Sequence, residues 1–325
     1  MFFSTPLPSC GPFFPMIDIL IVGAGPSGLC AAKTFLEYNR DADVALLDAH
    51  SSLGGVWAKE KLYPTMNTNN LRGTMDFSDF EMDGRFGVAP GQHVPGEVMN
   101  AYLCAYASQF DLTGRVRFNT RVVAIRRYAD GDGWALTTEN PQTGTTILQC
   151  RKLVVATGIL SVPHLPDLKG AGDFDGRILH SSELGLASEA LVDGPDVKTI
   201  AVVGGGKSAY DAVYLAASTG HKVEWIIRRS GRGPVWVFPP HTYLGPFKAW
   251  REMLITRRIV SFMSPCIWPD FSGLAWLRDL LHSNAVGKFI SKTFWRLIHA
   301  DTLRDCGYRT DPKLNILEPE QSPFW

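Results

Sequence analysis

Two stretches of the chain share one pattern: a short apolar run, a glycine-rich turn, and a longer segment rich in Ala and Leu. The first runs from Ile17 to Val22, through Gly23-Ala24-Gly25-Pro26-Ser27-Gly28, into Ser27 to Tyr38. The second runs from Lys198 to Val203, through Gly204-Gly205-Gly206-Lys207-Ser208-Ala209, into a segment passing Asp211 to Ala217. An uninterrupted apolar, β-branched run predicts a parallel strand buried on both faces, and the segment after it a helix. Shorter apolar runs, Asp43 to Leu47 and Val223 to Ile227, predict the next strand of each unit.

Between Gly114 and Val155 the pattern changes to alternation. Arg121 to Arg126, Trp134 to Thr138 and Thr145 to Gln149 predict an antiparallel meander, with Asp-Gly and Asn-Pro turns between the strands. Lys152 to Val155 then returns to the first sheet and leads into Ala156-Thr157-Gly158. From Gly231 to His299 the chain is rich in aromatic and basic residues, including Trp236, Trp250, Trp268, Trp276 and Trp295. Leu277, Leu281, Phe289, Ile290, Phe294 and Leu297 recur at helical spacing, which predicts helices that bury an apolar stripe. The sharper alternative is a lid over a hydrophobic substrate or a face resting on a membrane surface.

The fold class expected is α/β: two Rossmann-like dinucleotide-binding domains with parallel sheets, the first carrying the meander as an insert. The expected boundaries are a disordered leader over 1–15, a first nucleotide domain over 16–165, and a second over 166–325 with an aromatic-rich helical insert at about 231–300. A chain of 325 residues is long enough for two such domains.

Charge narrows the partners. Thirty-two basic residues balance thirty-two acidic ones, so nothing in the balance points to nucleic acid, and a small molecule is the expected partner. Cysteines at 10, 30, 104, 150, 266 and 306 form no close pair, which argues against a disulfide framework, a zinc site or a dithiol redox centre. The leader is apolar but has no basic residue and has prolines at 6, 8, 12 and 15, so it makes a poor signal peptide. No stretch reaches the roughly 18 apolar residues of a membrane span, and a cytoplasmic location is expected.

The chemistry of the first turn follows from its glycines. Gly23 permits a tight turn, Gly25 lets a pyrophosphate approach the backbone, and Gly28 lets helix and strand pack closely, with the diphosphate on the positive end of the helix. Asp48 follows Gly28 by twenty residues, the spacing of an acid that binds a ribose hydroxyl. Shortly after come Gly54-Gly55-Val56-Trp57, which alone read as a glycine turn before a core Trp, and then Thr68-Asn69, where an Asn among Thr, Asn and Gly usually forms a turn. Phe174-Asp175-Gly176-Arg177-Ile178-Leu179-His180 lies between the two glycine turns, and a His after an apolar pair is more often packed or capping than catalytic.

Together these segments resemble the flavin-containing, class B flavoprotein monooxygenases. That family carries G-G-x-W in its FAD domain, a Thr-Asn pair facing the flavin ahead of a Phe-Ser-Asp-Phe run (here Phe77 to Phe80), an A-T-G link, and F-x-G-x-x-x-H between its nucleotide sites. The resemblance implies FAD at Gly23, Gly25, Pro26, Ser27, Gly28, Asp48, Gly55, Val56, Trp57, Thr68 and Asn69, with Asn69 as the catalytic residue. It also implies that Phe174, Gly176 and His180 couple nicotinamide binding to domain positioning. NADPH would reduce FAD, O₂ would form a flavin C4a-hydroperoxide, and one oxygen atom would pass to a small hydrophobic organic substrate. Leu184 stands where the family usually has an aromatic residue, which leaves N- or S-oxygenation and Baeyer-Villiger oxidation both open. The aromatic insert is similar to that of fungal secondary-metabolite oxygenases.

In the second turn Gly204, Gly206, Lys207, Ser208 and Asp211 are the expected NADPH contacts. Gly206-Lys207-Ser208 also looks like the end of a P-loop, but that motif requires Gly where Ala201 stands. The next strand leads not to an acid but to Arg228-Arg229, and a guanidinium there can clamp the 2′-phosphate of NADP. The bland alternative is a solvated basic pair. A pyridine nucleotide-disulfide reductase would share both turns, but it needs a close cysteine pair and Cys30 has none. Full-length relatives return to the FAD domain through a second T-G link and a final helix, which are not in sight before Trp325. That leaves a truncated, non-catalytic nucleotide-binding remnant or interaction protein as the competing expectation.

Overall fold

A computed structural model of the chain describes residues 16–129, 131–159, 162–186, 188, 197–227, 241–244, 247–251, 259, 262–264 and 275–305. The expected leader over 1–15 and Arg228 lie outside the described residues. The elements begin with β1 (Ile17–Val22), α1 (Pro26–Tyr38) and β2 (Val44–Leu47), then β3 (Asn67–Leu71), β4 (His93–Pro95) and α2 (Gly96–Gln109). Next come β5 (Val116–Arg117), β6 (Arg121–Arg127), β7 (Trp134–Asn140) and β8 (Gly144–Val155). The remainder is β9 (Thr199–Val203), α3 (Lys207–Ser218), β10 (Lys222–Ile226), β11 (His241–Leu244), β12 (Phe247–Trp250), α4 (Ala275–Ser283) and α5 (Ala285–Asp305). The described residues fall into two compact units: the first within Met1–Asn67, Ser78–Gly87 and Val94–Gly194, the second within Thr68–Phe77, Val88–His93 and Pro195–Trp325.

The first unit is built on a six-stranded sheet in the order β5-β2-β1-β8-β7-β6. Its four strands β5, β2, β1 and β8 are parallel, with Ile21 level with Leu46 on one side and Val154 on the other. The meander β6-β7-β8 is antiparallel, with a register shift between Val122 and Ala124. Two separate strands were expected over Thr145 to Gln149 and Lys152 to Val155; β8 is instead one continuous strand. Its amino-terminal part pairs with β7 and its carboxyl-terminal part with β1. Nothing in Cys150-Arg151 breaks the extended backbone, so the strand serves both halves of the sheet.

All of β1 except Asp18 is buried, because the parallel sheet is covered on both faces. Ile17, Leu20, Val22, Ala45, Leu47, Ile125, Leu136 and Cys150 form one core cluster, and burial there pushes the Cys150 thiol up to about 12. α1 covers part of the sheet with Gly28, Leu29 and Ala32. The sequence reading omitted α2, although Met99, Tyr102, Leu103, Tyr106 and Ala107 are its buried positions at helical spacing. Phe80 packs against Tyr102 and edge-on against Tyr106, at 5.3 and 5.6 Å between ring centroids, and Tyr102 Oη donates to the Phe80 carbonyl. Each such ring pair contributes about 0.5–1.5 kcal/mol beyond its buried area.

In the second unit β9 and β10 are parallel, with Ala201 level with Glu224, and α3 leads from one to the other. β11 and β12 form an antiparallel pair. Arg251, 1% exposed, pairs with Asp301 of α5 at 2.9 Å, and Thr242 Oγ1 donates to the same carboxylate. The expected helices are present, but the expected burial of their apolar stripe is only partial, with Leu277, Leu281 and Phe294 half-buried. Phe289, Ile290 and Leu297 are exposed, while Trp295 and Ser291 are buried and donate to the Met263 carbonyl. Helical periodicity locates a face without saying whether anything covers it. No helix among the described residues is long and apolar enough to cross a membrane.

Candidate functional site

The first glycine turn is built by close backbone approaches. A Cβ on Gly23, whose φ is +111°, would lie 2.4 Å from the Ala156 carbonyl oxygen, so a side chain would collide with the Ala156-Thr157-Gly158 link. A Cβ on Gly28 would lie 1.9 Å from the Gly23 oxygen. A Cβ on Gly25 would come within 3.3 Å of the Gly55 Cα, which brings the Gly54 to Trp57 turn onto the glycine turn. The Gly54 N–H donates to the Ala24 carbonyl at 3.0 Å. Pro26 opens α1, where its missing N–H costs nothing; Gly25 provides no side-chain cap, and the first turn carries no acid. The amino terminus of α1 therefore keeps N–H groups and positive dipole for an anion. Ser27 and Val56 are exposed there and Trp57 is half-buried.

Asp48 is buried at the end of β2. Its Oδ2 accepts the Ala24 N–H at 2.8 Å, and its Oδ1 accepts the His50 N–H at 2.9 Å with the His50 ring Nδ1 at 2.8 Å. Burial alone would push this carboxyl up, but the hydrogen bonds from His50 and Ala24 outweigh it and hold the group below the ordinary carboxylate value.

Two residues here escaped the sequence reading. His50 carries no motif signal. Asn100 sits in α2 among the apolar positions whose spacing would have revealed that helix. Its buried amide nitrogen donates to the Leu53 carbonyl at 3.0 Å and the Trp57 carbonyl at 2.7 Å, clamping both ends of the Gly54-Gly55 turn. Glu60 closes the loop before it, accepting the Ser51 N–H and the Ser52 hydroxyl.

The Phe174 to His180 segment also belongs to the first unit. The Phe174 ring lies over Gly176, where a Cβ would meet it at 2.5 Å. His180 caps the short helix Ser181–Glu183: its Nδ1 accepts the Ser182 N–H at 3.1 Å, and the Glu183 carboxylate accepts the His180 N–H at 2.8 Å. Nδ1 is thus an acceptor, so the neutral ring carries its proton on Nε2. Leu184, the departure from the family pattern, is buried.

Thr68 and Asn69 lie in the second unit, on β3 rather than in a turn. Thr68 is buried, its hydroxyl donates to the Asn70 carbonyl at 2.6 Å, and its own carbonyl lies 2.9 Å from His93 Nδ1. Asn69 is exposed. The second glycine turn joins β9 to α3. The Gly204 N–H donates to the Ile226 carbonyl, and Trp225 Nε1 donates to the Gly204 carbonyl at 2.8 Å, with Tyr210 edge-on to Trp225. Gly206 occupies the amino-terminal cap of α3, a Cβ on it would meet nothing within 4 Å, and no side chain caps the helix. Lys207 pairs with Asp211 one turn on, and Ser208 is exposed beside them.

Residues 17–283 match the family described as flavin-binding monooxygenase-like. The chain belongs to this family. As a flavin-binding monooxygenase-like protein it is 35% identical over 319 residues to the FAD-dependent monooxygenase resA of Aspergillus sclerotiorum, covering 95% of this chain and 54% of that one. It is 37% identical over 292 residues to an FAD-dependent monooxygenase of Pyrenophora dematioidea, covering 87% of this chain and 52% of that one. The crystal structure of OTEMO in complex with FAD and NADP is similar with a TM-score of 0.53 at 27% identity, covering 66% of this chain and 39% of that one. The chain spans about half the length of the curated relatives it matches. The fold is α/β with a parallel-dominated sheet, as the strand patterns predict.

Proposed function

We propose that this flavin-binding monooxygenase-like chain holds FAD at the Gly23 turn and NADPH at the Gly204 turn, and serves the transfer of one oxygen atom from O₂ to a small hydrophobic organic substrate. The observation that carries this reading is the packing of Gly25 against Gly55 at the uncapped amino terminus of α1. Side chains there would force the two turns apart, and the helix end beside them supplies N–H donors and positive potential for a diphosphate. The uncapped amino terminus of α3 at Gly206 supports a second diphosphate in the same way, with Lys207 adding a cation.

Bound FAD, reduced by NADPH, would supply the electrons by which O₂ delivers one atom to the substrate and the other to water. The protein's part is to bind, orient and exclude solvent. Gly23 and Gly28 let the turn pack against the Ala156 link and its own backbone, Gly25 and Gly55 bring the two turns together, and Pro26 and Ser27 form the helix end that would face the diphosphate. Asp48 anchors the ribose end, while Val56 and Trp57 line the turn. Thr68 and Asn69 are proposed to face the flavin, where the Asn69 amide offers both a donor and an acceptor without bringing a charge. Phe174, Gly176 and His180 would respond to the nicotinamide, with His180 Nε2–H as a donor. Ser208 and Asp211 would support the NADPH phosphates through the helix and Lys207, and Arg228 would take the 2′-phosphate. The domain boundaries proposed for these sites are 16–165 and 166–325 in chain order, a division the compact units do not follow, since the first runs on to Gly194 and the second takes in Thr68–Phe77 and Val88–His93.

Purification and absorption spectroscopy test the reading. The expected outcome is a protein that takes up FAD, loses the flavin band when NADPH is added without air, and consumes O₂ with NADPH in air. A chain that takes up no FAD overturns it.

A further inference from the structure

A dinucleotide held by a glycine turn presents its adenosine ribose at the end of the second strand, where an acid normally receives it. Asp48 occupies that position, yet it is 6% exposed and both its oxygens are engaged, Oδ2 by the Ala24 N–H and Oδ1 by His50. The same carboxylate orients the His50 ring. With Nδ1 at 2.8 Å from a carboxylate oxygen, the proton must sit on Nδ1, since two lone pairs at that distance would repel. In the neutral ring Nε2 is then an acceptor. Among the described residues Nε2 has no hydrogen-bond partner, and the His50 side chain is 38% exposed. The backbone is tied as well, since the His50 carbonyl accepts the Asn119 N–H at 2.9 Å.

We propose that His50 is a specificity-determining contact for the adenosine ribose of FAD, its Nε2 accepting a ribose hydroxyl. Asp48 is then a positioning residue as much as a ligand, because it sets the tautomer of His50 and tethers the ring to Ala24 of the glycine turn. The inference rests on the reading of the first site as an FAD site. It makes recognition of the ribose hydroxyls depend on an imidazole held by the acid, not on the acid alone.

Fluorescence titration of the flavin-free protein with FAD, and with an FAD analogue lacking both adenosine ribose hydroxyls, tests this. The wild-type chain should bind FAD well over tenfold more tightly than the analogue, of which about five- to tenfold, the size of one neutral hydrogen bond, belongs to His50. His50→Ala should reduce the ratio by that five- to tenfold share by weakening FAD alone, and His50→Gln, whose side-chain oxygen can accept, should recover part of it. A His50→Ala protein that keeps the full ratio overturns the assignment. A wild-type chain that binds both ligands equally overturns it too, and that measurement needs no variant to fold. A wild-type chain that takes up neither ligand overturns the FAD reading itself, which is a distinct failure.

Discussion

Gly25 and Gly55 meet backbone to backbone, so that a Cβ on Gly55 would lie 3.0 Å from the Gly25 Cα. Gly55 also has a φ of +65°, a conformation that costs a residue with a Cβ about 1–2 kcal/mol. Gly55→Ala should destabilise the protein by about that amount and weaken FAD uptake about tenfold. Urea denaturation and flavin titration measure the two effects separately. An unchanged flavin affinity would remove this turn from the site.

Asn100 closes the same turn from behind. Asn100→Ala leaves the buried Leu53 carbonyl and the half-buried Trp57 carbonyl without their donor, at a cost of about 1–3 kcal/mol for the buried group and less for the other. Asn100→Asp should fare no better, because a carboxylate has no proton to give. Both variants should show a lowered melting temperature and poor flavin retention. Full retention in either would show that the clamp is dispensable.

Asp48 makes acid stability a readout of the site. Its folded carboxyl binds a proton less readily than the ordinary group of value 3.8. The stabilisation is therefore complete well above pH 3.8 and is lost as pH falls below it, through the lower folded value. Asp48→Asn should flatten this limb of the stability curve and cost about 1.5–3 kcal/mol at neutral pH, the range for hydrogen bonds to a charged group. Chemical denaturation at a series of pH values decides it, and parallel curves for the two proteins would contradict the shift.

Arg228 tests the proposed cofactor preference. If its guanidinium holds the 2′-phosphate, Arg228→Ala should reduce the preference for NADPH over NADH by roughly tenfold or more, the size of a charge-assisted hydrogen bond. Rates of flavin reduction by the two nucleotides give the ratio. An unaltered ratio assigns Arg228 to the solvated surface.

Asn69 tests the proposed oxygen chemistry. Asn69→Ala should leave NADPH consumption within about twofold of wild type while diverting O₂ to hydrogen peroxide, because the lost amide is worth about one hydrogen bond to the reacting oxygen. Measuring peroxide against NADPH consumed gives the coupling, and full coupling in the variant would refute the assigned role.

The local pattern of residues by itself determined the two strand-turn-helix units, the parallel strands and the antiparallel meander. Apolar β-branched runs, glycines in fixed spacing and alternation act over a few neighbouring residues, and their reading survives whatever the rest of the chain does. Tertiary structure alone decided the pairs that complete the site. Asn100 reaches the Trp57 carbonyl across 43 positions, and Asp48 reaches the Ala24 N–H across 24. Neither pairing has a sequence period. Solvent exposure of Phe289, Ile290 and Leu297 was equally hidden, since a helical stripe records where a face lies and not whether another element covers it. Likewise β8 reads as two strands because its pairing changes from β7 to β1 along its length, a change made by neighbours distant in sequence.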